Sequence, residues 1–282
     1  MERGVIISPY FTYDGHSLHF PGLVGIEPHH LRHYLLYWDK IEYPNNRFIH
    51  IASSPEIAAL EQAGLLQRTV VELPGFSGNI GSAYIISQAM AAQKLNQSAA
   101  GNWTVAQCGP QLVLPSTLST NVASLEIELF NVLPSPSADI PLDSIIKFKE
   151  KRHDELVAFR SYMDTIYLDI SSSGDLPRAK TVTIEKLERA LRDLNNAAEE
   201  SWATKLLSGF KIELNVPNIL DNAVKGAGVA AMMGAPISLG AALGAVGGVI
   251  KVELSTAPRV NGLPRELKDF AYICSVQKEL KS

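Results

Sequence analysis

SPEIAALEQAGLLQRTVVEL, residues 54–73, carries the pattern that decides the fold: a short helix, a stop and a short strand. The Ser54 side chain can accept a hydrogen bond from a free N–H of the first helical turn. Pro55 suits the first helical position, where a backbone N–H has no intrahelical partner to lose. Ile57, Leu60 and Ala63 recur at three-residue spacing and predict the inward face, and Gly64 ends the helix. The run from Thr69 to Leu73 then has the β-branched and apolar composition of a strand.

The same alternation extends in both directions. Residues 5–10 predict a buried strand, and residues 28–38 a helix with Leu31, Leu35 and Trp38 at helical spacing. Extended structure resumes at residues 41–43. After Thr69–Leu73, a turn at residues 75–81 leads into a helix to about Leu95, and residues 103–107 and 111–114 are strand-like. In residues 124–132, Leu125, Ile127 and Leu129 alternate with Glu126 and Glu128, as in a strand with one wet face. The predicted class is α/β, with a mixed α+β arrangement as the alternative.

Composition changes at Pro134-Ser135-Pro136-Ser137, which can continue neither element. The expected organisation is an N-terminal α/β region over 1–133, a linker over 134–141 and a mainly helical region over 142–282, as two bodies or one compact unit. In the helical region, Ile145, Phe148, Leu156, Phe159, Met163, Ile166 and Ile170 follow three-and-four spacing, interrupted only by Arg152. Ile184, Leu187, Leu191, Leu194, Trp202 and Leu206 repeat the pattern, and the turn at residues 171–176 predicts an antiparallel pair. Residues 210–216 and 250–254 alternate as strands, and a last helix is expected over roughly 264–280.

Between those two strands lies an uncharged stretch, residues 226–250, with seven glycines and seven alanines. Gly226, Ala230 and Gly234 recur every fourth residue before Pro236, and Gly240, Gly244 and Gly248 do so after it. Each trio forms a smooth stripe on which another helix can approach closely, so these six residues are the candidate packing, interface or membrane positions. The run is long enough to span a bilayer. Its low side-chain hydrophobicity and the division at Pro236 favour a buried helical hairpin.

Composition narrows the function. Hydrophobic residues make up 46% and charged residues 19%, as in an ordinary globular protein. A net charge of −4 offers no general attraction to nucleic acid, and the one basic cluster is Lys147 to Arg152. Cys108 and Cys274 make neither a disulfide framework nor a zinc quartet and fit a reducing cytosol. The apolar run after Met1 is too short for a signal peptide, so a cytoplasmic location is expected.

No motif calls for a cofactor. Gly75-Phe76-Ser77-Gly78-Asn79-Ile80-Gly81 sits where phosphate loops occur, yet lacks both the P-loop ending and the dinucleotide-turn order. A structural turn is the expectation there, and Ser77 is in no nucleophile elbow. His29 and His33 would share a helical face, with Glu27 and Asp39 nearby and His50 or His153 as distant partners. Without a His-Glu-x-x-His or a convergent fourth ligand, no metal site is assigned, and surface or helix-start histidines are expected. For Lys147, Lys149, Lys151, Arg152 and His153 the expectation is a solvated face with pairs such as Lys151–Glu155.

Several strings together resemble a bacterial family known only as a domain of unknown function. They are the strand ending in Pro9-Tyr10, Leu35-Leu36-Tyr37-Trp38-Asp39-Lys40-Ile41, and Leu60 through Gly64-Leu65-Leu66. Ile140-Pro141-Leu142-Asp143 follows, then Phe148, Arg152, Glu155-Leu156 and Phe159-Arg160, with small-residue helices near the C-terminus. The resemblance implies a bacterial or phage-borne intracellular protein of a mobile or defence-associated gene neighbourhood, and supplies no catalytic residues. In the strongest string, Trp38 and Ile41 are expected in the core, with Asp39 and Lys40 facing a turn or partner.

The function these features favour is a non-enzymatic interaction or assembly component with a protein partner or self-association. The alternatives are a membrane-acting effector that inserts residues 226–250, and a hydrolase or nuclease that uses the N-terminal histidines or the glycine-rich turn.

Overall fold

The computed structural model describes residues 2–13, 18–20, 25–49, 51–77, 80–98, 102–108, 111–113, 130, 133–197, 211–213 and 269–280. The expected strand over 124–132 (Phe130 apart), that over 250–254, and all six small-residue positions from Gly226 to Gly248 lie outside them. By its contacts the chain divides into two compact units, Met1–Ile127 with Gly209–Ala245, and Glu128–Ser208 with Val246–Ser282.

The first unit is α/β, as the alternating pattern predicts. Its elements are β1 (Gly4–Ile6), β2 (Thr12–Tyr13), β3 (Leu18–His19), α1 (Pro28–Tyr37), β4 (Lys40–Glu42), β5 (Asn45–Asn46), α2 (Pro55–Gln62), β6 (Leu66–Gln67), β7 (Val70–Val71), α3 (Ile80–Ser98), β8 (Trp103–Val105) and β9 (Gln111–Val113), with β10 (Lys211–Glu213) returning later. Four strands form a parallel sheet in the order β6-β4-β1-β8. Val5, Ile6, Ile41 and Val105 are buried, as strands covered on both faces require. β9 and β10 pair in parallel, β2 and β3 pair antiparallel, and β5 pairs with β7 in parallel.

Local signals set the element ends. Ser54 Oγ accepts from the Ile57 N–H at 3.3 Å, and Ile57 and Leu60 are buried. Ala63 departs from the expected inward face: it is the exposed C-cap of α2. Gly64 follows at φ +67°, a left-handed conformation that glycine adopts without a Cβ penalty. Trp38 and Ile41 are buried as expected, while Asp39 accepts from the Arg3 N–H at 2.9 Å and Lys40 Nζ reaches the Gly64 carbonyl at 2.7 Å.

The strands are shorter than their apolar runs. Pro9, which has no N–H to donate, lies beyond the end of β1. The run at residues 69–73 yields only β7, and Thr69 stands just before it with its N–H at 2.8 Å and its hydroxyl at 2.9 Å given to the Glu42 carboxylate. The Thr69 carbonyl accepts from the Asn45 N–H at 2.9 Å, where the pairing of β5 with β7 begins.

The second unit contains α4 (Leu142–Lys151), α5 (His153–Ser171), α6 (Leu176–Ala197) and α7 (Ala271–Glu279). Ile145, Phe148, Leu156, Phe159, Met163, Ile170, Phe270, Tyr272 and Ile273 form its core. The helical stripe from Ile145 to Ile170 is two helices, not one. Arg152, at φ −110° and ψ 24°, closes α4 through its N–H to Phe148 and opens α5 through its carbonyl to Leu156. Its guanidinium binds Glu155 at 2.7 Å and also Glu279. The expected Lys151–Glu155 pair gives way to this network. Lys151 bonds Glu279 at 2.8 Å, and the buried Glu155 carboxylate also accepts from Ser275 at 2.7 Å. An i,i+4 pair that does form is Asp143–Lys147, at 2.6 Å.

Candidate functional site

In a parallel sheet, ligands bind beyond the carboxyl ends of the strands, where the strand order reverses. Here β1 leads to β4 and β6 on one side, while β8 pairs on the other, so the reversal lies between β1 and β8. The chain leaving β1 places Ser8 there, the chain leaving β8 places Gln107 and Cys108, and α3 contributes Gln88. All four are buried.

These groups bind one another. Gln88 Nε2 donates to the carbonyls of Ile6 at 2.9 Å and Ala106 at 2.8 Å. Its Oε1 accepts from Gln107 Nε2 at 2.9 Å, and Gln107 also exchanges hydrogen bonds with the Val113 backbone in both directions at 2.7 Å. The Cys108 N–H donates to Ser8 Oγ at 3.2 Å, and the Ser8 hydroxyl donates to Pro9. Tyr34 Oη lies 3.7 Å from Cys108 Sγ. Burial pushes the Cys108 thiol up to about 12, so it carries almost no thiolate near neutral pH. The crevice is a packed polar plug.

The second cluster sits at the start of α1. Glu27 Oε2 lies 3.4 Å from His29 Nδ1 and 3.6 Å from His30 Nδ1, and the two imidazole rings are 4.0 Å apart. Glu27, His29 and His30 each offer a ligand atom within 4.8 Å of the others. Burial, helped by His29, lowers His30 to about 4; burial, helped by His30 and His29, lowers His33 to about 3.

The sequence paired His29 with His33, but His33 is buried among Tyr34, Tyr37 and Trp38, and Asp39 is engaged with Arg3. His30, the missed member, carries the plainest possible signal, adjacency to His29. His50 lies outside the described residues, and His153 begins α5 of the other unit. In the glycine-rich turn, Gly75 takes φ +69° and Ser77 is exposed, while residues 78 and 79 are not described. Gln88 and Gln107 drew no notice in the sequence, because lone amides in apolar runs have no motif.

Among the described residues no helix is long and apolar enough to cross a membrane. Residues 17–281 match the family described as "Family of unknown function (DUF6236)", and the chain belongs to that family, in keeping with the resemblance drawn from its motifs. No curated protein and no solved structure matches the chain.

Proposed function

We propose that this member of DUF6236 is a non-enzymatic interaction or assembly component. The observation that carries the reading is the plugged crevice at the strand reversal. There Ser8, Gln88, Gln107 and Cys108 spend their hydrogen-bonding capacity on one another, on backbone and on the Tyr34 hydroxyl. A substrate entering between β1 and β8 would have to break that network, and burial holds the one thiol there in its unreactive form.

Contact surfaces in this reading come from elsewhere. Beside the β5–β7 ladder, Phe48 and Val70 are exposed at 48% and 59%, and Phe48 packs on Phe76 with ring centroids 5.1 Å apart. Apolar side chains on a sheet edge suit burial against a protein partner. The Gly226, Ala230, Gly234, Gly240, Gly244 and Gly248 stripes enter as a second close-packing surface, on their sequence pattern alone.

Light scattering and affinity capture of the tagged protein test the proposal, with the double variant Phe48→Ser/Val70→Lys as the control. The expected result is an assembly heavier than the 30.7 kDa chain that is lost in the variant while circular dichroism is unchanged. A strict monomer that captures nothing would overturn the proposal. Liposome leakage that disappears in Gly244→Leu would favour membrane insertion instead.

A further inference from the structure

We propose that Glu27, His29 and His30 form a binding site for a divalent transition-metal ion of the zinc class. The inference is independent of the assembly reading, since a metal held this way can be structural as readily as catalytic.

Distance is the first argument. At 3.4 and 3.6 Å, Glu27 Oε2 stands from the two Nδ1 atoms at or just beyond the outer limit of a hydrogen bond. Ligand bonds of about 2.0–2.1 Å in a tetrahedral arrangement put neighbouring donor atoms about 3.3–3.4 Å apart. The two separations from Glu27 are thus close to the edges of a tetrahedron, and all three donor atoms lie within 4.8 Å of one another.

Unmet bonding is the second. Glu27 is the N-cap of α1, but its carboxylate caps none of the helix N–H groups and turns to the two rings instead. His30 Nδ1 is a buried atom with no hydrogen-bond partner. A buried ring nitrogen 3.6 Å from a carboxylate oxygen, with no hydrogen bond of its own, is the arrangement a cation between them would satisfy.

Rigidity is the third. Pro28 occupies the first position of α1, the Leu31 N–H closes the turn onto the Glu27 carbonyl at 3.1 Å, and Arg32 donates to the Pro28 carbonyl at 3.0 Å. Arg32 is anchored in turn by two hydrogen bonds to Glu56, at 3.2 and 2.6 Å. Two sequence-adjacent ligands and a third two residues earlier are thus held on one braced turn.

Chemistry selects the ion. Two imidazole nitrogens and one carboxylate suit zinc, cobalt or nickel, whereas magnesium and calcium prefer all-oxygen sites. The partly exposed Glu27 and His29 side chains, 37% and 43%, leave a fourth position for water.

The full-length protein, stripped with a chelator and dialysed, is titrated with Zn²⁺ by calorimetry and with Co²⁺ by visible absorption. The expected result is uptake at a site that Glu27→Gln or His29→Ala weakens at least tenfold and His29→Ala/His30→Ala abolishes, along with the Co²⁺ ligand-field bands. Glu27 and His29 are exposed enough that their single variants keep the test valid if the double variant fails to fold, which circular dichroism checks. No uptake by the wild type, or uptake unchanged in the two single variants, would overturn the proposal.

Discussion

Acid should loosen the first unit through His33, and a substitution can isolate the effect. The ring is buried against Tyr34, Tyr37 and Trp38, Nε2 has no hydrogen-bond partner, and burial lowers its pKa from 6.5 to about 3. The unfolded chain takes up this proton as pH falls through 6.5, whereas the folded chain refuses it until about pH 3. Stability from this group is therefore complete above pH 6.5 and is lost progressively on acidification across that window. Integrated from pH 7.5 to 5.0, the loss is about 2 kcal/mol, a sizeable part of a domain's total of about 5–15 kcal/mol. His30, lowered to about 4, adds a smaller loss because its side chain is 30% exposed. Phe fits the same aromatic setting and cannot titrate. Urea unfolding of wild type and His33→Phe, at both pH values with a chelator present, should show the wild type losing about 2 kcal/mol more than the variant. Equal losses in the two proteins would refute the reasoning.

Other expectations follow from single contacts. A Cβ added at Gly4 would overlap the Trp103 ring, so Gly4→Ala should cost about 1–3 kcal/mol in urea unfolding, relieved by a second change, Trp103→Ala. Arg152→Ala strips the buried Glu155 of its cation and should cost about 3 kcal/mol, against about 1 kcal/mol for Ser275→Ala, by thermal unfolding. Ser54→Ala removes the cap of α2 and should cost about 1 kcal/mol by the same measurement.

The helical and strand periods made the α/β class legible, because they depend on neighbours in sequence. Ser54, Pro55 and Gly64 placed α2 to within a residue, since caps are local chemistry. Two kinds of feature were not local. At the break, Arg152 binds Glu279 far along the chain, a contact that an apolar stripe alone could not show. The polar plug draws Ser8 from the chain after β1, Gln88 from α3 and Gln107 from the chain after β8, and only the strand order brings them together. The histidine cluster was half legible. Helical spacing pointed to His33, but the helix turns that ring into the core and leaves His30 beside Glu27.

The most direct test of the assembly reading is sedimentation of the tagged full-length protein through a gradient in fresh lysate of its native host. The account predicts a complex well above the 30.7 kDa of the single chain. Sedimentation as a lone chain at native abundance would contradict it.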